Sequence, residues 1–234
     1  MTAGAGITIA ETLDRFLAED KKRAPEDAEQ SEFLLDNLVS FLEGYGYQYV
    51  ADEPDTNVIA LGIFDESDEG ERDFIDSYRP EIIPDSLREF LYDWNIRKYL
   101  GDEDDAKATA LLMERLMEWL ADEGLADREE AAEAAVLART ASEDLPRAHR
   151  LSGLFYDLAK AAGAGDASEP DDSVDDSLAI TRVEPGRLWL EGDVGPIKVP
   201  VKLSQLAVVG WTVNVLAEKR AGKWVILETG FVYP

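Results

Sequence analysis

The 234-residue chain contains no cysteine, which excludes disulfides, thiolate metal sites and thiol nucleophiles together and suits a reducing cytoplasm. It has a single histidine; His149 stands between arginines in Arg147-Ala148-His149-Arg150 and reads as an exposed helix residue rather than a general base. No run approaches the roughly 18 apolar residues that a membrane span requires. The first residues, MTAGAGITIAETLDRF, lack a basic segment followed by a sustained apolar one, so no export signal is expected and the expected address is the cytoplasm. Phosphate-binding loops, dinucleotide glycine fingerprints, HExxH and Gly-x-Ser-x-Gly elbows are absent as well. Carboxylates are so numerous that pairing two of them as acid and base carries no information. The acidic run Asp102-Glu103-Asp104-Asp105 lacks the spacing of an EF-hand loop and reads as an acidic helix start. The expectation is a protein that is not an enzyme, with no cofactor and no metal.

Positive charge is also scarce, with 23 Lys and Arg against 50 Asp and Glu and a net charge of -27. The molecule as a whole is repelled by nucleic-acid backbones and by anionic membranes. An excess of this size is expected of a protein kept soluble in concentrated salt, where the Debye length falls to about 3 Å at 1 M and neighbouring carboxylates cease to repel. Such a chain should melt at a higher temperature as KCl rises from about 0.1 M to about 2 M, because screening removes the repulsion. A melting temperature that is flat or falling over that range would reject adaptation to salt.

Apolar spacing predicts helices through most of the first 162 residues. Thr8 and Glu11 form a capping-box signature ahead of Ile9, Leu13, Phe16 and Leu17, and Pro25 limits that helix to about Arg23. A second helix, from Glu26 or Ser31 to Glu43, places Leu34, Leu35, Leu38 and Leu42 on one face, with Gly44 as its stop. Tyr45, Tyr47 and Tyr49 then alternate, and in an extended segment they point to one side as a strip for a partner or as a cover over the helical core. The stretch Val58 to Phe64 is a short strand or a buried loop. Further helices are expected around Phe74–Tyr78, from Leu87 to Leu100, from Asp104 or Asp105 to Gly124, from Asp127 to about Thr140, and from about Glu143 to Ala162.

The segment Leu87 to Ala126, with Trp119-Leu120 followed by Gly124-Leu125, resembles the helical core-binding segment of tyrosine recombinases, and Leu34-Leu35-Asp36-Asn37-Leu38 to Tyr47 is compatible with it. The resemblance implies a helix hairpin in a protein that associates with DNA. The catalytic domain of that family is not in this chain, and Arg147, His149, Arg150 and Tyr156 do not follow its spacing, so no catalytic residue is carried over. Members that grip DNA are basic here, whereas this segment is acidic.

Residues 163–177, rich in Gly, Ala, Ser and Asp, read as a flexible acidic linker. Beyond it the period changes from helical to alternating, with strands at Leu178–Val183, Leu188–Glu191, Ile197–Val201, Trp211–Leu216, Lys223–Glu228 and Phe231–Tyr233. The expected fold class is α+β in two domains: an acidic all-α domain over 1–162 and a small all-β SH3-like or OB-like barrel over 178–234. Residues 178–234 carry seven cations against five carboxylates, a charge of +2, which leaves -29 for residues 1–177. Small barrels bind single strands or peptides through aromatic platforms and nearby cations. The candidates are Trp211 and Trp224, with Trp189, beside Lys198, Lys202, Lys219 and Arg220; the competing reading puts the tryptophans in the barrel core. The function expected is a regulatory or interaction protein that binds a protein partner through its helical domain, the alternative being contact with single-stranded DNA or RNA through the barrel.

Overall fold

The computed structural model describes residues 6–50, 74–98, 101–162 and 170–234. Its contacts divide the chain into two compact units, Met1–Tyr99 with Ala108–Ala141 and Leu100–Lys107 with Ser142–Pro234.

In the first unit, α1 (Ile9–Arg23) opens on the expected capping box. The Glu11 amide donates to Thr8 Oγ1 at 3.2 Å and the Thr8 amide to Glu11 Oε2 at 3.1 Å. Two otherwise unpaired donors are thereby satisfied. Helix α2 (Ala28–Tyr45) buries Leu34, Leu35, Leu38, Phe41 and Leu42. Gly44 lies inside it and does not stop it. The chain leaves the helix at Gly46, where a Cβ would stand 2.3 Å from Cε1 of Phe74, so close packing rather than helix propensity marks this end. Val58 to Phe64 lies outside the described residues.

Helix α3 (Ile83–Glu89) continues through a π-helical turn, Phe90–Trp94, into Asn95–Lys98. Helix α4 (Glu103–Glu123) is capped by Asp102, whose Oδ1 accepts from the amides of Asp104 at 2.9 Å and Asp105 at 3.1 Å. The cap therefore falls earlier than either aspartate expected from the sequence. Asp20 is buried between Ser31, which donates at 2.9 Å, and Arg115, whose Nε and Nη2 donate at 2.8 and 3.1 Å.

The two helices expected on either side of residue 141 are one, α5 (Arg128–Ala162), with Pro146 inside it. Proline costs a helix interior about 3 kcal/mol. Here the buried stripe runs unbroken in helical register through Ala131, Ala134, Ala138, Ala141, Leu145, Ala148, Leu151, Phe155 and Ala159, and tertiary packing overrides the local preference.

The second unit holds the strands β1 (Asp172–Glu184), β2 (Arg187–Leu190), β3 (Val194–Lys198), β4 (Thr212–Arg220) and β5 (Lys223–Tyr233). Strand β1 pairs antiparallel with both β2 and β4, β2 with β3, and β4 with β5, while β3 and β5 are parallel. Every strand thus has two neighbours, in the order β1-β2-β3-β5-β4 and back to β1. Strand β1 begins within the expected linker, because Asp172 to Ala179 pair with β4 in spite of their low strand propensity. The segments expected as separate strands at 223–228 and 231–233 form the single strand β5. The expected strand end at Val201 is instead the start of a short helix, α6 (Val201–Leu206).

The core of this unit is built from both kinds of element. Ala148, Leu151, Phe155 and Ala159 of α5 lie among Leu178, Ile180, Leu188, Leu190, Ile197, Val213, Val215, Ile226 and Val232. Ser152 Oγ accepts from the Val232 amide at 3.0 Å. Arg147 donates to the Leu206 carbonyl at 2.7 Å and lies 5.6 Å from the centre of the Trp211 ring. The second half of α5 thus belongs with the strands, whereas the sequence reading ended the helical domain at residue 162.

Candidate functional site

Strand β2 turns Leu188 and Leu190 inward, 0% and 2% exposed, and sends Arg187 and Trp189 to the outer face. Trp189 lies between two register shifts, one between Ile180 and Arg182 on β1 and one between Leu188 and Leu190 on β2 against β3. Bulges re-aim side chains and recur beside binding sites. Thr181, the extra residue of β1, donates its hydroxyl to the Trp189 carbonyl at 3.2 Å.

The ring is held from both sides. On β3, Gly195 has φ +152° and leaves no room for a Cβ, which would stand 2.7 Å from Trp189 Cδ1, so the backbone conformation and the space both require glycine. From β1, the Arg182 guanidinium lies over the ring at 4.5 Å from its centre, and Arg182 also pairs with Glu184. The Arg182 side chain is 61% exposed, so the outermost layer of this stack faces solvent. Two residues along the strands, Glu184, Arg187 and Lys198 form a second row across β1, β2 and β3. These two rows therefore offer an aromatic ring, three cations and one carboxylate.

The residues singled out from the sequence are dispersed. Lys198 is in the second row and is exposed. Lys202 is exposed on α6, whose Ser204 Oγ accepts from the Gly186 amide at 3.0 Å in the β1–β2 turn. Trp211 and Trp224 are 7% and 8% exposed and belong to the core; they cannot serve as platforms for a ligand. Lys219 lies 5.9 Å from the Trp224 ring, and Arg220 pairs with Glu218 at 2.7 Å, so both are engaged at the β4–β5 hairpin. Arg182 and Arg187 are not among the candidates that the sequence singles out, and Trp189 is there only as one of three tryptophans, without a reason to prefer it. The alternation Leu188-Trp189-Leu190, with leucines inward, was the signal that the ring faces out.

The tyrosine strip does not form. Tyr45 ends α2 and stacks on Phe41 at 5.7 Å, and Gly46–Tyr49 is a 3-10 turn, not an extended segment. Tyr47 is exposed, while Tyr49 donates to Glu89 Oε2 at 2.6 Å. Burial, that hydrogen bond and the charges of Glu89 and Asp85 all raise the Tyr49 phenol above its ordinary range.

His149 is exposed on α5, and its neighbour Arg150 pairs with Glu103 at 2.7 Å. Among the described residues no group of three or more His, Cys, Asp or Glu is placed to hold a metal ion, and no helix is long and apolar enough to cross a membrane. No family model matches the chain, and no curated protein or solved structure matches it either. Function has to be argued from this chain's own geometry.

Proposed function

We propose that this is a non-enzymatic interaction protein that holds single-stranded nucleic acid on the outer face of β1, β2 and β3. The observation that carries the reading is Trp189, an outward tryptophan fixed over Gly195 and layered by an exposed arginine. Base stacking on aromatic rings and on guanidinium planes is the main sequence-tolerant term in single-strand binding. A base extends the stack on Arg182 or takes its place. The strand order, the parallel β3–β5 pair and the helix between β3 and β4 support an OB-like barrel over an SH3-like one.

The charge division supports the same reading. From Asp172, where β1 begins, to the last residue, seven cations stand against eight carboxylates, close to neutral in a chain of -27, so an anionic ligand is repelled least there. The resemblance of residues 87–126 to recombinase core-binding segments agrees with a protein that works near nucleic acid. The acidic helical unit is assigned to a protein partner, and the acidity itself to a concentrated-salt setting, where the KCl melting series is the test.

Anisotropy titration of labelled oligothymidine with the full chain at low salt tests the nucleic-acid reading. Binding is expected, and Trp189→Ala should weaken it about tenfold or more, since a stacked base contributes about 1–3 kcal/mol. No binding by the native chain, or equal affinity in the variant, would sink the reading. Preference for duplex over single strand would count against stacking as its basis.

A further inference from the structure

Resting on that reading, we propose that Arg187 and Lys198 form a phosphate subsite that fixes where the backbone of the bound strand runs, with Trp189 taking the adjoining base. The two cations face one another in register across β2 and β3, and both are exposed. Like charges directly opposite each other destabilise a sheet. In a chain with 50 carboxylates, a neighbouring Asp or Glu is the simplest means of neutralising them. Among the described residues, neither side chain takes part in an ion pair or a hydrogen bond.

The other charges on these elements locate the anion. Glu184 lies opposite Arg187 on β1 but directs its carboxylate to Arg182. Lys202 stands on α6, which is bonded to the β1–β2 turn, and adds a third cation at that end of the sheet. Glu191 and Asp193 lie at the other end of β2, in the turn to β3, and both are exposed. Positive charge is therefore gathered where Arg187 and Lys198 meet, and negative charge where a backbone would leave the Trp189 row in the other direction.

A phosphodiester suits the pair. Its single charge is shared by two free oxygens, each able to accept from one cation. Trp189 is two residues from Arg187 on the same face, about 7 Å along the strand, so a nucleotide phosphate at the pair leaves its base within reach of the ring. The backbone crosses the sheet at the Pro185–Gly186 end, and the bases point toward the β2–β3 turn.

The test uses the full chain, labelled oligothymidine and a labelled abasic deoxyribose-phosphate oligomer, with inorganic phosphate as competitor. In the double variant Arg187→Gln, Lys198→Gln, the slope of log affinity against log salt should shrink by about 1.4, since each single-strand phosphate contact contributes about 0.7. The abasic oligomer should lose its binding. Trp189→Ala should weaken oligothymidine while leaving the abasic oligomer unchanged. Melting followed by circular dichroism should show the double variant as stable as the native chain or more so, because a like-charge pair has been removed. An unchanged slope in the double variant, with Trp189→Ala still weakened, overturns the subsite and leaves the binding face intact. If the native chain binds neither oligomer, both readings fall. Displacement by millimolar inorganic phosphate as effective as by oligomer reassigns the pair to a free anion and overturns the backbone path.

Discussion

Replacing Phe155 by alanine is expected to destabilise the C-terminal unit by about 4 kcal/mol, within the range for removing a fully buried aromatic ring. Phe155 is 0% exposed and shares one core with Ile180, Leu188, Val213 and Ile226. The penalty has two parts, the lost transfer of the ring from water and the void left between helix and strands, which neighbours on rigid elements refill poorly. Native-state hydrogen exchange distinguishes this from an effect on the helical unit. Amides of β4 and β5 should lose protection in the variant, whereas those of α1 and α2 should keep it. Unchanged exchange in the strands would mean that residues 142–162 do not belong to the strand core. The same measurement decides where the chain can be divided. A fragment that begins at residue 178 lacks the ring and should not hold its fold.

Asp20→Asn is expected to cost about 3 kcal/mol, because it leaves the partly buried Arg115 guanidinium without its counter-charge. Asp20 is 4% exposed, Arg115 bonds both its oxygens, and Ser31 adds a third hydrogen bond. Burial by itself pushes the Asp20 carboxyl upward; the hydrogen bonds from Arg115 and Ser31 and the charges of Arg115 and Arg23 outweigh it and hold the group below its ordinary value. The stabilising contribution is therefore fully present above the unfolded value of about 3.9 and is lost as pH falls through the lower folded value. Urea unfolding of the native chain and the variant should differ by a constant amount from neutral pH down to about pH 5, and the difference should narrow below about pH 4. A gap that widens on acidification, or no gap at pH 7, would show that the carboxylate is not the charged partner of Arg115.

Local signals were legible where the chain satisfies its own backbone. The Thr8 and Glu11 cap, the stop before Pro25 and the Pro185-Gly186 turn need only neighbours three or four residues away. Sequence reading went astray where distant partners compensate a poor local choice. A break was expected between Thr140 and Glu143, but the alanine and leucine stripe on either side of it stays in one register and packs as one helix, with Pro146 inside it. Asp172 to Ser177 read as linker because aspartate and serine disfavour strands, yet β4 supplies the ladder that orders them. Gly44 is a plausible stop by type, but the contact that excludes a Cβ is at Gly46, against Phe74, 28 residues further on.

The candidate site divides in the same way. Composition and the change of period marked a strand region after an acidic helical one, because charge and alternation are properties of the chain itself; its expected positive balance does not hold, since Asp172, Asp175 and Asp176 join β1 through their pairing with β4. Choosing among the tryptophans required knowing which strands are neighbours. Trp211 and Trp224 are covered by packing, while Trp189 is turned out between two bulges, over a glycine on one adjacent strand and beneath an arginine from the other. The opposition of Arg187 and Lys198 is likewise a matter of register between segments joined by a turn. A one-residue shift in that register would carry these cations to the inner face, so the site depends on strand pairing and not on the residues alone.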